Sequence, residues 1–89
     1  MKILGIETSC DETALALLDI NNRRFKVRSS NVSSQVALHR AWGGVVPELA
    51  ARRHAEVIIP LLKKTLAEAK NNLNSIDAIA VTLGPGLIT

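Results

Sequence analysis

Three stretches of this chain are apolar on both faces of an extended backbone, and that feature limits the available folds more than any other. They are Lys2–Glu7, Thr13–Asp19 and Ile76–Leu83. Strand side chains alternate, so Thr13, Leu15 and Leu17 share one face of the second stretch and Ala14, Ala16 and Leu18 the other. A sheet of such strands needs cover on two sides, which points to layered α/β architecture rather than a half-wet hairpin. A third strand, Phe25–Val32, differs. Phe25 and Val27 alternate with Lys26 and Arg28, the pattern of a strand with one wet face near a sheet edge. Ile20-Asn21-Asn22-Arg23 reads as a turn, because Asn tolerates positive φ. Three strands in such close succession predict an antiparallel meander.

Ser33–Val46 lacks a period, contains Gly43-Gly44 and reads as a loop. Pro47 and Glu48 then suit a first helical turn, and the helix is expected to run to about Lys70, where Asn71-Asn72 stops it. Projected at about 100° per residue, Ala50, Ala51, His54, Ala55, Val57, Ile58, Ile59, Leu61, Leu62, Leu66 and Ala69 occupy an arc of roughly 200°. Arg52, Arg53, Glu56, Lys63, Lys64 and Lys70 occupy the other side, which also holds Pro60. Packing on a single surface requires an apolar stripe of a little over 100°. This helix is therefore expected to serve two partners, the sheet and something outside this stretch of chain. The Ile76–Leu83 strand follows by a right-handed crossover, giving the order β-β-β-α-β in a mixed sheet.

Composition excludes several classes. Of the 89 residues, 47% are hydrophobic and the formal net charge is only +3, unlike a disordered segment. The longest run free of charged residues and histidine, Ala78–Thr89, is well short of the ~20 residues a membrane span requires. The opening segment does not read as a secretory signal. Its one cysteine, Cys10, fits a reducing compartment, so a cytoplasmic location with no membrane partner is expected. The apolar close at Gly86-Leu87-Ile88-Thr89 reads as part of something larger.

Two polar motifs interrupt the apolar strands. Between the first two lies Gly5-Ile6-Glu7-Thr8-Ser9-Cys10-Asp11-Glu12-Thr13, longer and more polar than a hairpin needs. Backbone N–H groups and hydroxyls there can hold phosphate oxygens, and carboxylates can hold Mg²⁺ or its waters. The same composition also suits a solvated turn. Gly84-Pro85-Gly86 stands at the carboxyl end of a parallel strand, where ligands bind in open α/β sheets, although an ordinary turn has the same look. Cys10, His39 and His54 match no metal-ligand spacing. His54, on the apolar arc, reads as a packed, hydrogen-bonded histidine. Arg23, Arg24, Lys26 and Arg28 form a basic set with one aromatic companion, Phe25, and read either as a solvated hairpin tip or as a nucleic-acid contact.

Leu4-Gly5-Ile6-Glu7-Thr8-Ser9-Cys10-Asp11-Glu12-Thr13 resembles the opening of the bacterial TsaD/Gcp family of tRNA threonylcarbamoyladenosine synthase subunits. So do Ser34-Gln35, His39, Gly43-Gly44-Val45-Val46-Pro47-Glu48-Leu49-Ala50 with Arg52 and His54, and Gly84-Pro85-Gly86-Leu87. Trp42 and Ala51 depart from the family's usual Tyr and Ser. The resemblance implies an actin-like ATPase (ASKHA, ribonuclease H-like) half-domain, with residues 1–89 an incomplete N-terminal lobe that stops before its second helix. It implies a parent transferase that moves threonylcarbamoyl from threonylcarbamoyl-AMP to N6 of adenosine 37 in tRNAs reading ANN codons. An older description of the family as a sialoglycoprotein endopeptidase finds no support in these residues.

By the same resemblance, Ser9, Asp11 and Glu12 face phosphate or the intermediate, and Gly84 and Gly86 shape the neighbouring edge. The parent binds a divalent metal of the iron or zinc class and an adenine nucleotide. The family's HxxxH metal motif falls beyond residue 89, so residues 1–89 are expected to bind no metal or cofactor and to be inactive alone. Implied partners are tRNA and a paralogous ASKHA subunit docked on the helix Pro47–Lys70, with self-association of the isolated chain also expected. Two alternatives share the fold: a non-catalytic paralogous scaffold subunit and a small-molecule kinase.

Overall fold

A computed structural model describes residues 1–8, 12–35, 43–44 and 47–82. The elements are β1 (Lys2–Glu7), β2 (Glu12–Asn21), β3 (Arg24–Ser34), α1 (Pro47–Glu68), a 3₁₀ turn at Leu73–Ser75, and β4 (Ala78–Val81). The strands form one mixed sheet in the order β3-β2-β1-β4. β1 pairs antiparallel with β2 and parallel with β4. The meander and the crossover are those the alternation predicts. β2 and β3 extend further than expected, and Ser33 and Ser34 belong to β3 rather than to the following loop.

The β2–β3 turn has two residues, Asn22 (φ 50°) and Arg23 (φ 66°). Two consecutive positive φ values match the right-handed twist of a hairpin, and Asn adopts them readily. An irregularity in register between Leu17 and Leu18 adds twist along the pair.

α1 lies across β2 and β3, against the face that presents Leu4, Leu15 and Leu17. These three leucines form the buried cluster, with Ile6, Ile58, Leu61, Leu62, Leu66, Ala69 and Ile76 packed around them. Ile58, Leu61, Leu62, Leu66 and Ala69 meet the sheet, whereas Ala51, Ala55 and Ile59 are exposed. The helix ends at a left-handed Lys70 (φ 56°), followed by an Asn71 N–H to Leu66 carbonyl bond of 3.0 Å. Asn71 supports that stop through its side chain, which donates to the Ala69 carbonyl at 2.8 Å. No helix among the described residues is long and apolar enough to cross a membrane.

β4 departs from expectation. Its apolar residues predict burial, yet Ala78–Val81 is exposed throughout. Ile79 and Val81 stand in register with Leu4 and Ile6, but α1 packs mainly over β2 and β3. The opposite face, where Ile3, Gly5, Ala14, Ala16 and Leu18 lie, is likewise covered by no element among the described residues.

Thr65 projects into the middle of the apolar arc, between Leu61 and Ile58, and although polar it is fully buried. Its hydroxyl donates to the Leu61 carbonyl at 2.8 Å and accepts from Asn31 Nδ2 at 3.0 Å. Ser29 Oγ donates to the Thr65 carbonyl at 2.7 Å, and Asn31 Nδ2 also reaches Glu68 at 2.7 Å. This polar seam fastens β3 to α1 where the strand has no large apolar side chain to offer. Thr65→Val keeps the shape and removes both hydroxyl bonds. It is expected to cost about 1–2 kcal/mol in a urea melt, and an unchanged midpoint would deny the seam its role.

Candidate functional site at the carboxyl edge of the parallel pair

The strand ends that lead into the two polar motifs are neighbours because β1 and β4 are paired in parallel. Both strands run toward the same edge, and β2 begins there. At that edge Thr82 N–H donates to the Ile6 carbonyl at 3.2 Å, and the Thr82 hydroxyl donates to the Glu7 carboxylate. The segment leaving β1 toward residues 9–11 and the segment leaving β4 toward residues 84–86 therefore depart from bonded strand ends. Glu12 opens β2 on the same edge, exposed, opposite Ser34 of β3. The other edge is tied independently. Asp77 accepts from the Lys2 N–H at 2.7 Å through Oδ2, and its own N–H donates to the Lys2 carbonyl at 2.8 Å.

Beneath the edge the side chains are buried and bonded. Thr13, fully buried, shares a 2.6 Å hydrogen bond between its Oγ1 and His54 Nδ1. His54 is thus the packed, bonded histidine that its place on the arc implies. Gln35, also buried, donates from Nε2 to the Ala50 carbonyl at 3.4 Å. These two bonds hold the first turns of α1 at this end of the sheet, on the face opposite the Glu7–Thr82 contact.

Of the predicted site residues, Glu12 lies in the described structure, while Ser9, Asp11, Gly84 and Gly86 fall outside the described residues, as do Cys10 and His39. Among the described residues, no three His, Cys, Asp or Glu side chains gather as a metal-ligand set. Sequence reasoning included Glu7 in the first polar motif and Gln35 and Arg52 in the family resemblance, but missed Thr82 as an edge residue. It placed Arg52 and Arg53 on the wet side of the helix. In the structure these two line a hollow of about 380 Å³ with Ser34, Gln35, Leu49 and Glu56. Arg53 pairs with Glu56 at 3.3 Å. The signal for the Glu7–Thr82 contact was available: each closes a strand of a parallel pair, so the two must meet once the strands are neighbours. Chemically, the edge offers the Thr82 hydroxyl and the Glu7 and Glu12 carboxylates at the carboxyl end of a parallel pair, the place where open α/β sheets bind ligands.

Comparison with known proteins adds a second line of observation. The family model described as TsaD, tRNA N6-adenosine threonylcarbamoyltransferase, matches residues 26–89. A protein of that description from Persephonella marina is 54% identical over 88 residues, covering 99% of this chain and 25% of the relative. One from Zymomonas mobilis is 55% identical over 86 residues, covering 97% of this chain and 23% of the relative. The chain thus spans about a quarter of the length of the curated relatives it matches. Among solved structures, YeaZ from Pseudomonas aeruginosa superposes with a TM-score of 0.63 at 28% identity, over 98% of this chain and 32% of that one. The fold shared with it is the actin-like ATPase half-domain, with the β-β-β-α-β order and mixed sheet described above.

Proposed function

We propose, from the premise that this chain belongs to the TsaD family of tRNA N6-adenosine threonylcarbamoyltransferases, that it forms the phosphate-facing edge of such an enzyme's first lobe. The observation that carries this reading is the bonded pair Glu7–Thr82, which joins the strand ends that lead in sequence into the two motifs. Ser9, Asp11 and Glu12 then contact the phosphate or acyl-adenylate portion of threonylcarbamoyl-AMP, and Gly84 and Gly86 let backbone approach it. The metal and the nucleoside belong to parts of the parent protein outside residues 1–89. A divalent metal there would supply Lewis-acid stabilisation of the transferred group. This chain's residues bind and orient the leaving phosphate side.

In this reading the outer arc of α1, where Ala51, Ala55 and Ile59 are exposed, receives a paralogous subunit of the same fold. The bare faces of β4 and the sheet make the isolated chain prone to self-association. A scaffold role is the second reading, favoured by the likeness to YeaZ. Identities of 54% and 55% to proteins described as the transferase, against 28% to YeaZ, favour the catalytic subunit.

The test replaces the matching first quarter of the Zymomonas mobilis relative with residues 1–89 and measures threonylcarbamoyladenosine formation from supplied intermediate and tRNA. The chimera is expected to modify tRNA, and residues 1–89 alone are expected to give none. A folded but inactive chimera overturns the transferase reading. Modification by residues 1–89 alone overturns the division of labour.

A further inference from the structure

We infer that the β2–β3 hairpin tip is a docking surface for the phosphate backbone of RNA, separate from the carboxyl edge. The tip lies at the far end of β2 from that edge, roughly 30 Å along the strand at about 3.3 Å per residue. Residues 21–28 carry Arg23, Arg24, Lys26 and Arg28 and no acid. The nearest carboxylate, Asp19, is already engaged, by Arg28 at 3.5 Å and by the Met1 amino group at 4.0 Å. Among the described residues, Arg23, Arg24 and Lys26 form no ion pair, so their charge faces outward uncompensated.

Three features make this more than a solvated tip. The two-residue turn, with Asn22 and Arg23 both at positive φ, holds the cations in a fixed arrangement. The tip is also concave: Asp19, Asn21, Arg24, Phe25, Lys26 and Arg28 line a hollow of about 900 Å³. And Phe25 is 70% exposed at the wall of that hollow, beside Arg24 and Lys26 in the chain. The guanidinium groups can hold phosphates, and Phe25, which alternates with Arg24 and Lys26 along β3, exposes its ring at the same tip for a base to stack on. Arginine outnumbers lysine at the tip, and a planar guanidinium fits phosphate oxygens bidentately.

The inference rests on the proposed function only in choosing RNA among polyanions. The experiment titrates the chain into a fluorescein-labelled RNA stem-loop and reads anisotropy at 50 and 200 mM salt, conditions that span the steep part of a counterion-release response. Three cations acting together predict a log–log salt slope of about −2 to −3. Replacing Arg23, Arg24 and Lys26 together by Gln is expected to weaken binding about tenfold at the lower salt and to flatten the slope. Phe25→Ala is expected to weaken binding about fivefold with the slope retained. Lys63→Gln with Lys64→Gln, on the exposed side of α1, is expected to change neither. All these positions are exposed, and circular dichroism verifies each fold.

An unchanged triple variant overturns the inference, as does an equal loss from the Lys63 and Lys64 pair. Binding to phosphatidylglycerol vesicles in place of RNA also overturns it. The outcome is separable from the function test: an inactive chimera whose tip still binds RNA defeats the proposed function alone, and an active chimera indifferent to the tip changes defeats this inference alone.

Discussion

Leu17→Ala is expected to unfold most of the chain at 25 °C. Leu17 is 0% exposed and, among the described residues, shares its cluster with only two other fully buried leucines, Leu4 and Leu15. Truncating a leucine in such a setting costs about 3–5 kcal/mol, because the transfer energy and the cavity both count. Total stability scales at roughly 0.05–0.15 kcal/mol per residue, which makes that loss comparable to everything a chain this short holds. The chain belongs near the low end of the scale, since Phe25, Val32, Ile79 and Val81 are more than half exposed and contribute little burial. A urea melt followed by circular dichroism reads the effect. Val32→Ala, at a site 56% exposed, is the control and should shift stability by about 0.5 kcal/mol or less. A cooperative Leu17→Ala melt within about 1 kcal/mol of the parent would show that the leucine cluster is not the seat of stability.

Glu12→Ala in the active chimera is expected to lower transfer by at least about a hundredfold, the scale seen when one preorganised polar group is removed from a reacting centre. Glu12 is exposed at the first position of β2, on the edge where the two motif-bearing segments leave the sheet. Its carboxylate takes no part in a hydrogen bond that holds the described fold together, so the loss should appear in turnover without a change in the melt. Glu7→Gln makes the informative contrast. Glu7 accepts from the Thr82 hydroxyl and fastens β1 to β4, and the neutral amide retains an acceptor for that bond. A small loss at Glu7 with a large one at Glu12 fits one residue that aligns the edge and one that faces ligand. Equal losses would reverse those roles.

Much of the architecture follows from local pattern. Alternation in Thr13–Asp19 assigns Leu15 and Leu17 to the core face, and the structure agrees, because period-two geometry leaves no other choice once a face is buried. The wet-faced strand at Phe25–Val32 does lie at the sheet edge, as Lys26 and Arg28 require. The apolar side chains of β4 say only that it needs cover, not where that cover comes from. Its exposure follows from where α1 crosses the sheet, a property of packing angle and strand order. Thr65 escaped detection for a related reason: a hydroxyl reads as polar until a strand carrying Ser29 and Asn31 is laid against it.

By itself, then, the sequence determined the elements, their order, the buried face of β2 and the polar motifs that interrupt the strands. These rest on dihedral preference and periodicity, which act over a few residues. Only the tertiary structure decided that Glu7 and Thr82 meet, that His54 bonds Thr13 beneath the edge, and that the cations of the β2–β3 turn surround a hollow with Phe25 at its wall. Each of these depends on strand order, register or helix crossing. Those are set by long-range burial and hydrogen-bond satisfaction, to which no local pattern has access.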